Sequence, residues 1–382
     1  MKNHSGKIII TGLKTLSLVM LVALALASCK KGDSRSHGVN LMEESELLAI
    51  YDRDGYDEVY IVSPKGDDVA HYVLVEEEDS IPAGLEDDVV VIRVPLTGLV
   101  IDSEIYASAL EELGKTGSIK GMFDASYVTS AAIQQRLKNG EIQDVGQPAS
   151  PNTEKILKLQ PDALVISYFD GMQTQAVDKL GIPVIKMFDL QETSPLGRAE
   201  WIRLIGKLVG ASEKADRVYY DVKEKYNALL RENVAGEFRP KVLTETMYEG
   251  IWYVPGGNSY QARLIKDGGG NYFKSADGSS GSLNLTAEQV LMEGGDADIW
   301  LVRHYGDGNQ LKAILEADPV YGEVKAYKDR NVYFSDTSKS GLFREFPFHP
   351  DRLLQDYRII FSGDTTSALR YFEKLNLPAK RE

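Results

Sequence analysis

The sequence predicts an α/β protein of two lobes with parallel sheets, joined by a long helical strut. Three observations carry that prediction. Strand-like and helix-like runs alternate from Pro151 to Phe188 and again after Pro240. An almost unbroken helical pattern fills the interval from Thr193 to Asn233. One helix-to-strand phrase is written twice, as "PNTEKILKLQPDALVIS" from Pro151 and as "LTAEQVLMEGGDADIWLV" from Leu285. Strands alternating with helices of about ten residues indicate parallel βαβ units. At 382 residues the chain exceeds the size at which single cores stop growing, so separate cores are expected.

In chain order, three Lys in the first fourteen residues precede a twelve-residue apolar run, Leu16 to Ala27. That run is shorter than the ~20 residues needed to cross a bilayer and suits the apolar region of a signal peptide. Cys29 is the only cysteine and follows "LAS", so the end of the run resembles a bacterial lipobox. The expectation is a signal peptide over 1–28 and a lipidated Cys29 with a polar tether over 29–42, giving a protein held at the cell envelope and facing the periplasm. A lone cysteine allows no intramolecular disulfide, although export would permit one.

From Glu43 to Asp102, short alternating runs such as "DEVYIVS" and "AHYVLVEE" read as strands. "SEIYASALEELG" has a Ser start and a Gly stop and reads as a helix, as does "TSAAIQQRLKNG", ending at Gly140. "PLGRAEWIRLIGKLVGA" puts Trp201, Leu204, Ile205 and Leu208 on one face. Ser212 then caps a helix whose Val218, Val222, Tyr226 and Leu229 or Leu230 continue an apolar stripe. The expected organisation is an N-terminal lobe over 43–195, with an extension over 43–88, linking helices over 196–235 and a C-terminal lobe over 236–382.

A formal charge of −14 with no basic stripe argues against nucleic acid as partner. There is no G-x-S-x-G elbow, H-E-x-x-H or C-x-x-C, and only three of the five His fall beyond the tether, so an enzyme is not expected. The Gly-rich "GKTGSIKG" and "PGGNSY" match no phosphate-binding pattern and read as turns.

The two echoing phrases align without a gap, pairing Glu154 with Glu288, Ile156 with Val290, Asp162 with Asp296 and Ala163 with Ala297. A generic helix-to-strand unit would give the same pattern, but each copy lies on a different side of the strut. Together with "KLGIPVI", "AEWIRLIGKLVGASEKADRV" and "GIWYVPGGNSYQARLIKDGGG", the phrase resembles the iron-complex and cobalamin class of substrate-binding proteins for ABC importers, over roughly Val89 to Leu377. The resemblance implies the class III periplasmic binding protein fold: two Rossmann-like lobes joined by a single long backbone helix. It implies capture of an iron chelate, either a ferric siderophore or haem, with a corrinoid such as cobalamin as the alternative, and no resident cofactor or metal. It also implies that Glu154 and Glu288 dock into basic pockets of two permease subunits. A scaffold lipoprotein without a small ligand would use the same lobes but need no matched Glu pair.

Ligands of open α/β lobes bind beyond the carboxyl ends of the parallel strands. That rule nominates Phe123, Asp124, Tyr127, Tyr168, Phe169, Asp170, Trp252, Tyr253, Asn258, Tyr260, His304, Tyr305 and Arg344, with Asp189, Arg303 and Thr337 in the same loops. Twenty Tyr against eleven Phe fits a cleft that is part apolar and part wet. Trp201 and Trp300 are expected in the core and Trp252 in the cleft. His304 is either a hydrogen-bonded side chain or a ligand to a bound metal complex. Arg344 either meets a ligand carboxylate or pairs with Glu345 or Asp351.

Overall fold

The structure, a computed structural model, describes residues 38–169, 171–172, 174–231 and 239–377. The signal-peptide, tether and Cys29 readings therefore fall outside the described residues, as does Asp170. From Asn40 onward the chain packs as one compact unit. Among the described residues no helix is long and apolar enough to cross a membrane.

The first sheet is formed by β1 (Leu48–Arg53), β2 (Tyr56–Val62), β3 (Asp68–Glu76) and β4 (Val90–Val94) in that order. Alternation puts Leu48, Ile50, Val59, Ile61, Tyr72 and Leu74 on its inner face, where all are buried. Tyr72 reaches beyond its own sheet. Its hydroxyl donates to the Val184 carbonyl and accepts from the Lys186 amide, both at 2.9 Å, and so satisfies the free edge of a second sheet.

That second sheet has the order β11-β10-β5-β6-β7, and all its pairs are parallel. Its strands are β5 (Leu99–Ile101), β6 (Ile119–Met122), β7 (Gln143–Asp144), β10 (Ala163–Ser167) and β11 (Val184–Met187), with a small hairpin, β8 (Gly146–Gln147) and β9 (Ser150–Pro151), between β7 and β10. The expected helix after β5 runs Glu104–Leu113. Ser103 accepts from the Ile105 amide at its start, and Gly114 ends it at φ 74°, a left-handed conformation that glycine adopts without a Cβ clash.

The linking segment is two short helices and one long one. Ser194 caps Pro195–Glu200, the chain passes through Trp201 into Ile202–Leu208, and Gly210 at φ 62° leads to the strut Ser212–Arg231. Twenty residues span about 30 Å at 1.5 Å per residue. The fully buried positions are Ala215, Tyr219, Val222 and Tyr226, the expected Val218 and Leu229 pack partly buried against the same core, and Leu230 is exposed. The Glu200 carboxylate accepts the amides of Glu43, Glu44 and Ser45 and pairs with Arg203, which ties the start of the first sheet to the linker.

The third sheet, β15-β12-β17-β18-β19, contains β12 (Lys241–Thr244), β15 (Asn271–Tyr272), β17 (Ile299–His304) and β18 (Val332–Asp336) in parallel, with β19 (Glu373–Lys374) antiparallel at one edge. A separate antiparallel sheet joins β13 (Met247–Tyr248), β14 (Ile251–Pro255) and β16 (Ser282–Leu285). The "GIWYV" run is thus not a strand of the parallel sheet as the sequence suggested. One apolar cluster runs from Ile101 and Tyr106 through Trp201, Tyr219 and Tyr226 to Leu264, Leu301 and Tyr357, making the linker part of a continuous core.

Candidate ligand cleft

The carboxyl ends of β5 and β6 and the segment after β11 in one half, and the carboxyl ends of β12, β17 and β18 in the other, bound two cavities, of about 550 and 740 Å³. The smaller is walled by Asp102, Glu104, Asp124 and Tyr127 from the N-terminal half and by Arg303, Phe343 and Arg344 from the C-terminal half. The larger lies between Leu190, Gln191 and Glu192 on one side and Glu245, Tyr248, Tyr253, Tyr260 and His304 on the other. Arg303 and Tyr305 line both and form the partition between them. Each volume lies within the ~300–1,000 Å³ range of small-ligand sites.

The N-terminal wall is a chain of hydrogen bonds. Asp102 accepts from the Ser167 amide at 2.7 Å and the Ser167 hydroxyl at 3.1 Å. The Ser167 hydroxyl meets the Tyr106 hydroxyl at 3.0 Å, and Tyr106 donates to Asp189 at 2.9 Å. Asp189 in turn holds Arg198 of the linker at 3.1 Å, whose guanidinium lies 4.8 Å from the Tyr260 ring centre and 5.2 Å from that of Phe346. Burial pushes the Asp102 carboxyl up to about 7, outweighing the Ser167 donors. Glu104 is also committed, accepting from the Thr129 amide and hydroxyl at 2.9 Å and from the Ser130 amide.

The C-terminal wall is built on a strained residue. Glu245, directly after β12, has φ 61°, a left-handed conformation unusual for a side-chain-bearing residue. Its carbonyl accepts the indole N–H of Trp252 at 3.1 Å and of Trp300 at 2.7 Å. The two indoles pack at 5.7 Å between ring centres, with Tyr321 against both. The conformation turns the Glu245 carboxylate to Arg303, whose Nε donates at 2.6 Å and whose Nη2 also pairs with it. Arg344 is held more loosely, at 3.3 Å from Glu345 and 3.9 Å from Glu111.

Of the residues nominated from sequence, Asp124, Tyr127, Tyr305 and Arg344 line the smaller cavity, and Tyr253, Tyr260, His304 and Tyr305 the larger. Tyr127 and Tyr305 are 66% and 69% exposed, so their rings are available to a ligand. Two nominations are corrected. Trp252 is fully buried, because β14 alternates and its odd and even residues face opposite ways; Tyr253 is the one that opens to the cavity. Phe123 stands at the smaller cavity's edge, but its side chain is buried among Val100, Val145, Ile156 and Ile166. Trp201 and Trp300 are in the core as expected. Tyr168 packs on Phe188 at 5.6 Å and under Lys186, and neither it nor the exposed Phe169 lines these cavities. Asn258 belongs to a different, polar pocket beside Arg263 and Lys266.

His304 Nε2 is buried without a hydrogen-bond partner among the described residues, and a Cβ on Gly306 would come within 3.0 Å of it. Burial lowers its pKa against the opposing pull of Asp336 and Asp307, so the imidazole is neutral at neutral pH. Arg344 pairs with Glu345 rather than Asp351. Among the described residues no group of three His, Cys, Asp or Glu is placed to hold a metal ion. Sequence reasoning missed Glu245 and Asp102; each is a charged residue immediately after a parallel strand, the position from which the loop residues were chosen.

The repeated phrase begins two equivalent helices, Thr153–Leu159 and Ala287–Gly294, each capped by the residue before it: Asn152 accepts the Lys155 amide and Thr286 forms a capping box with Gln289. Glu154 and Glu288 are exposed in their first turns, while Ile156 and Val290 are buried. The gapless register fails beyond the helices. Ala163 pairs with Leu99 as Ile299 pairs with Val242, and the Asp162 amide donates to Gly98 as the Asp298 amide donates to Lys241. Asp298, not Asp296, is the counterpart of Asp162, because the second copy has two further residues between its cap and its strand, one in the helix and one after it.

The family model described as periplasmic binding protein matches residues 100–338. An uncharacterized lipoprotein of Methanocaldococcus jannaschii is 30% identical over 278 residues, covering 69% of this chain and 66% of that protein, so the chain spans about two thirds of that relative's length. A second lipoprotein of the same organism is 26% identical over 360 residues and 88% of each chain. Among solved structures, a periplasmic haem-binding protein from Pseudomonas aeruginosa superposes with a TM-score of 0.58 at 16% identity, over 74% of this chain and 99% of its own. An ABC transporter substrate-binding protein from Listeria monocytogenes gives 0.55 at 18% identity, over 70% and 99%. At these identities the likeness is one of fold, the class III type with a helical linker.

Proposed function

The chain belongs to the periplasmic binding protein family, and from that premise we propose that it captures an iron chelate, a ferric siderophore or haem, and delivers it to an ABC importer. The observation that carries this reading is the pair of cavities between the two halves, walled by exposed aromatic side chains from both: Tyr127 on one side, and Tyr253, Tyr305 and Phe343 on the other. Such rings give a bulky chelate apolar contact and hydroxyl donors at once. The metal of the chelate keeps its own ligands and is cargo.

The linker shares one core with both halves, so affinity rests on a preformed cleft more than on hinge closure. Glu154 and Glu288, at the starts of equivalent helices, dock the loaded protein onto two permease subunits, and lipidated Cys29 keeps it at the membrane. Arg-pocket recognition of two carboxylates requires both halves to present them similarly, as the two capped helices do.

Absorbance titration of the chain lacking residues 1–28 with haemin, ferric siderophores and cyanocobalamin tests the ligand. Saturable binding of an iron chelate is expected; a response to cyanocobalamin alone would make the protein a corrinoid carrier, and silence towards all three would sink the transport reading. Reversing Glu154 and Glu288 to Arg should stop uptake in cells and leave chelate binding intact. Cys29→Ser should release the protein from membranes.

A further inference from the structure

Resting on that reading, we propose that capture of a ligand in the smaller cavity takes up a proton from solvent, held on Asp102 by the relay through Ser167 and Tyr106 to Asp189. Hydrogens are one short along that relay. Three contacts join its four side chains in series: Asp102 to the Ser167 hydroxyl at 3.1 Å, Ser167 to the Tyr106 hydroxyl at 3.0 Å, and Tyr106 to Asp189 at 2.9 Å. Each contact needs a hydrogen, and only the two hydroxyls carry one. With both carboxylates ionised, Ser167 donates to Asp102 and Tyr106 donates to Asp189, so the two hydroxyl oxygens face each other with no hydrogen between them.

One further proton removes the conflict, and the two ends of the relay compete for it unequally. Asp189 forms an ion pair with the buried Arg198 at 3.1 Å, an interaction that a neutral acid would forfeit. Asp102 has no cation among its hydrogen-bond partners; its Oδ2 accepts the Ser167 amide at 2.7 Å. Protonated on Oδ1, Asp102 donates to Ser167, Ser167 donates to Tyr106 and Tyr106 donates to Asp189, so every contact is filled in one direction. Burial acts the same way, raising the Asp102 pKa to about 7, and the nearby Asp189 charge adds to it.

The other ionisable groups around the cavity stand on both halves. Glu104, and Asp124 with Tyr127 after β6, line it from the N-terminal half, where the two acids disfavour a further negative charge. Arg303 and Arg344 oppose them from the C-terminal half, each already paired with a carboxylate, Glu245 and Glu345. A ligand seated here displaces water from the open side of Asp102, which extends its burial and raises its proton affinity further. By linkage, the proton raises ligand affinity by the same factor. Affinity is therefore flat below the pKa of the free protein, about 7, where Asp102 already holds its proton, and falls as pH rises above that value.

The test titrates haemin, ferrichrome and cyanocobalamin into the wild type and Asp102→Asn, from about two pH units below neutrality to about two above. Asparagine reproduces the neutral acid, accepting the Ser167 amide through its carbonyl and donating to the Ser167 hydroxyl through its amide. Any pH dependence left in the variant belongs to the probe. For each probe that binds, the wild type should lose roughly tenfold in affinity relative to the variant on the alkaline side, the equivalent of about one unit of pKa change. Calorimetry in two buffers of unlike ionisation enthalpy should show proton uptake on binding to the wild type, which decides the matter if the variant folds poorly. Tyr106→Phe frees Ser167 to donate to an ionised Asp102, so it should move the onset of the decline to lower pH with affinity on the acidic side nearly unchanged. Parallel pH profiles in wild type and Asp102→Asn, or no proton uptake, would overturn the inference and leave chelate binding standing. Silence of the wild type towards all three probes would instead overturn the proposed function. In that case the infrared C=O band of a neutral carboxylic acid in the ligand-free chain, present near neutrality and lost in Asp102→Asn, still reads the proton on Asp102, and its absence would overturn that assignment separately.

Discussion

The two walls of the cleft are held together differently. On the N-terminal wall, Asp102, Ser167, Tyr106, Asp189 and Arg198 form a buried chain in series that runs back into the linker, where Arg198 Nη1 has no hydrogen-bond partner among the described residues. On the C-terminal wall, two tryptophans hold the carbonyl of one residue, Glu245, whose carboxylate holds Arg303. The first wall spreads its geometry over several linked side chains; the second concentrates it on a single left-handed residue.

The largest expected effect comes from undermining the C-terminal wall. Trp252→Ala should cost about 3–5 kcal/mol by removing a buried aromatic. It should also free the Glu245 backbone, so denaturant melts and chelate titration should both report loss; unchanged affinity in a destabilised protein would separate Glu245 from its supports. On the N-terminal wall, Tyr106→Phe removes one hydroxyl from both Ser167 and Asp189 and should cost ~1–3 kcal/mol with chelate affinity nearly unchanged. A loss of affinity as large as that of Trp252→Ala would erase the contrast between the walls.

Asp102 sharpens the contrast through pH. Its folded-state pKa, about 7, lies above the ordinary 3.8, so the folded protein binds the extra proton and this group's contribution to stability falls as pH rises between those values. Asp102→Asn should flatten the wild-type decline by no more than ~1.4 kcal/mol per pH unit. Equal slopes in the two proteins would show that Asp102 is ordinarily acidic. Tyr72→Phe, outside both walls, should cost ~1–2 kcal/mol by unpairing the Val184 carbonyl and Lys186 amide, and should leave the cleft untouched.

Much of the fold was legible because it rests on local signals. Ser103, Ser130 and Asp307 cap helices, Gly114 and Gly363 end them in the left-handed region, and the helical interval from Ser194 to Arg231 is where periodicity placed it. The site was legible only as a set of loops. Which residue of a loop faces the ligand depends on strand parity and on backbone conformations set by distant partners. Parity alone would have exchanged Trp252 for Tyr253. Nothing local announces that Glu245 turns left-handed, since the indoles that hold its carbonyl come from a different sheet and from a strand 55 residues on. The repeat was misread for a related reason: a gapless alignment holds through the helix, where the cap and the buried Ile156 and Val290 fix the register, and fails where loop length is free.

The reach of Tyr72 across to β11 has a consequence for the protein among its neighbours. An edge strand with open amides and carbonyls is a template for any other chain that can lie beside it. Such pairing would assemble copies of one chain edge to edge. A single phenolic oxygen occupies the carbonyl of Val184 and the amide of Lys186, and so closes that stretch of the edge to a second chain.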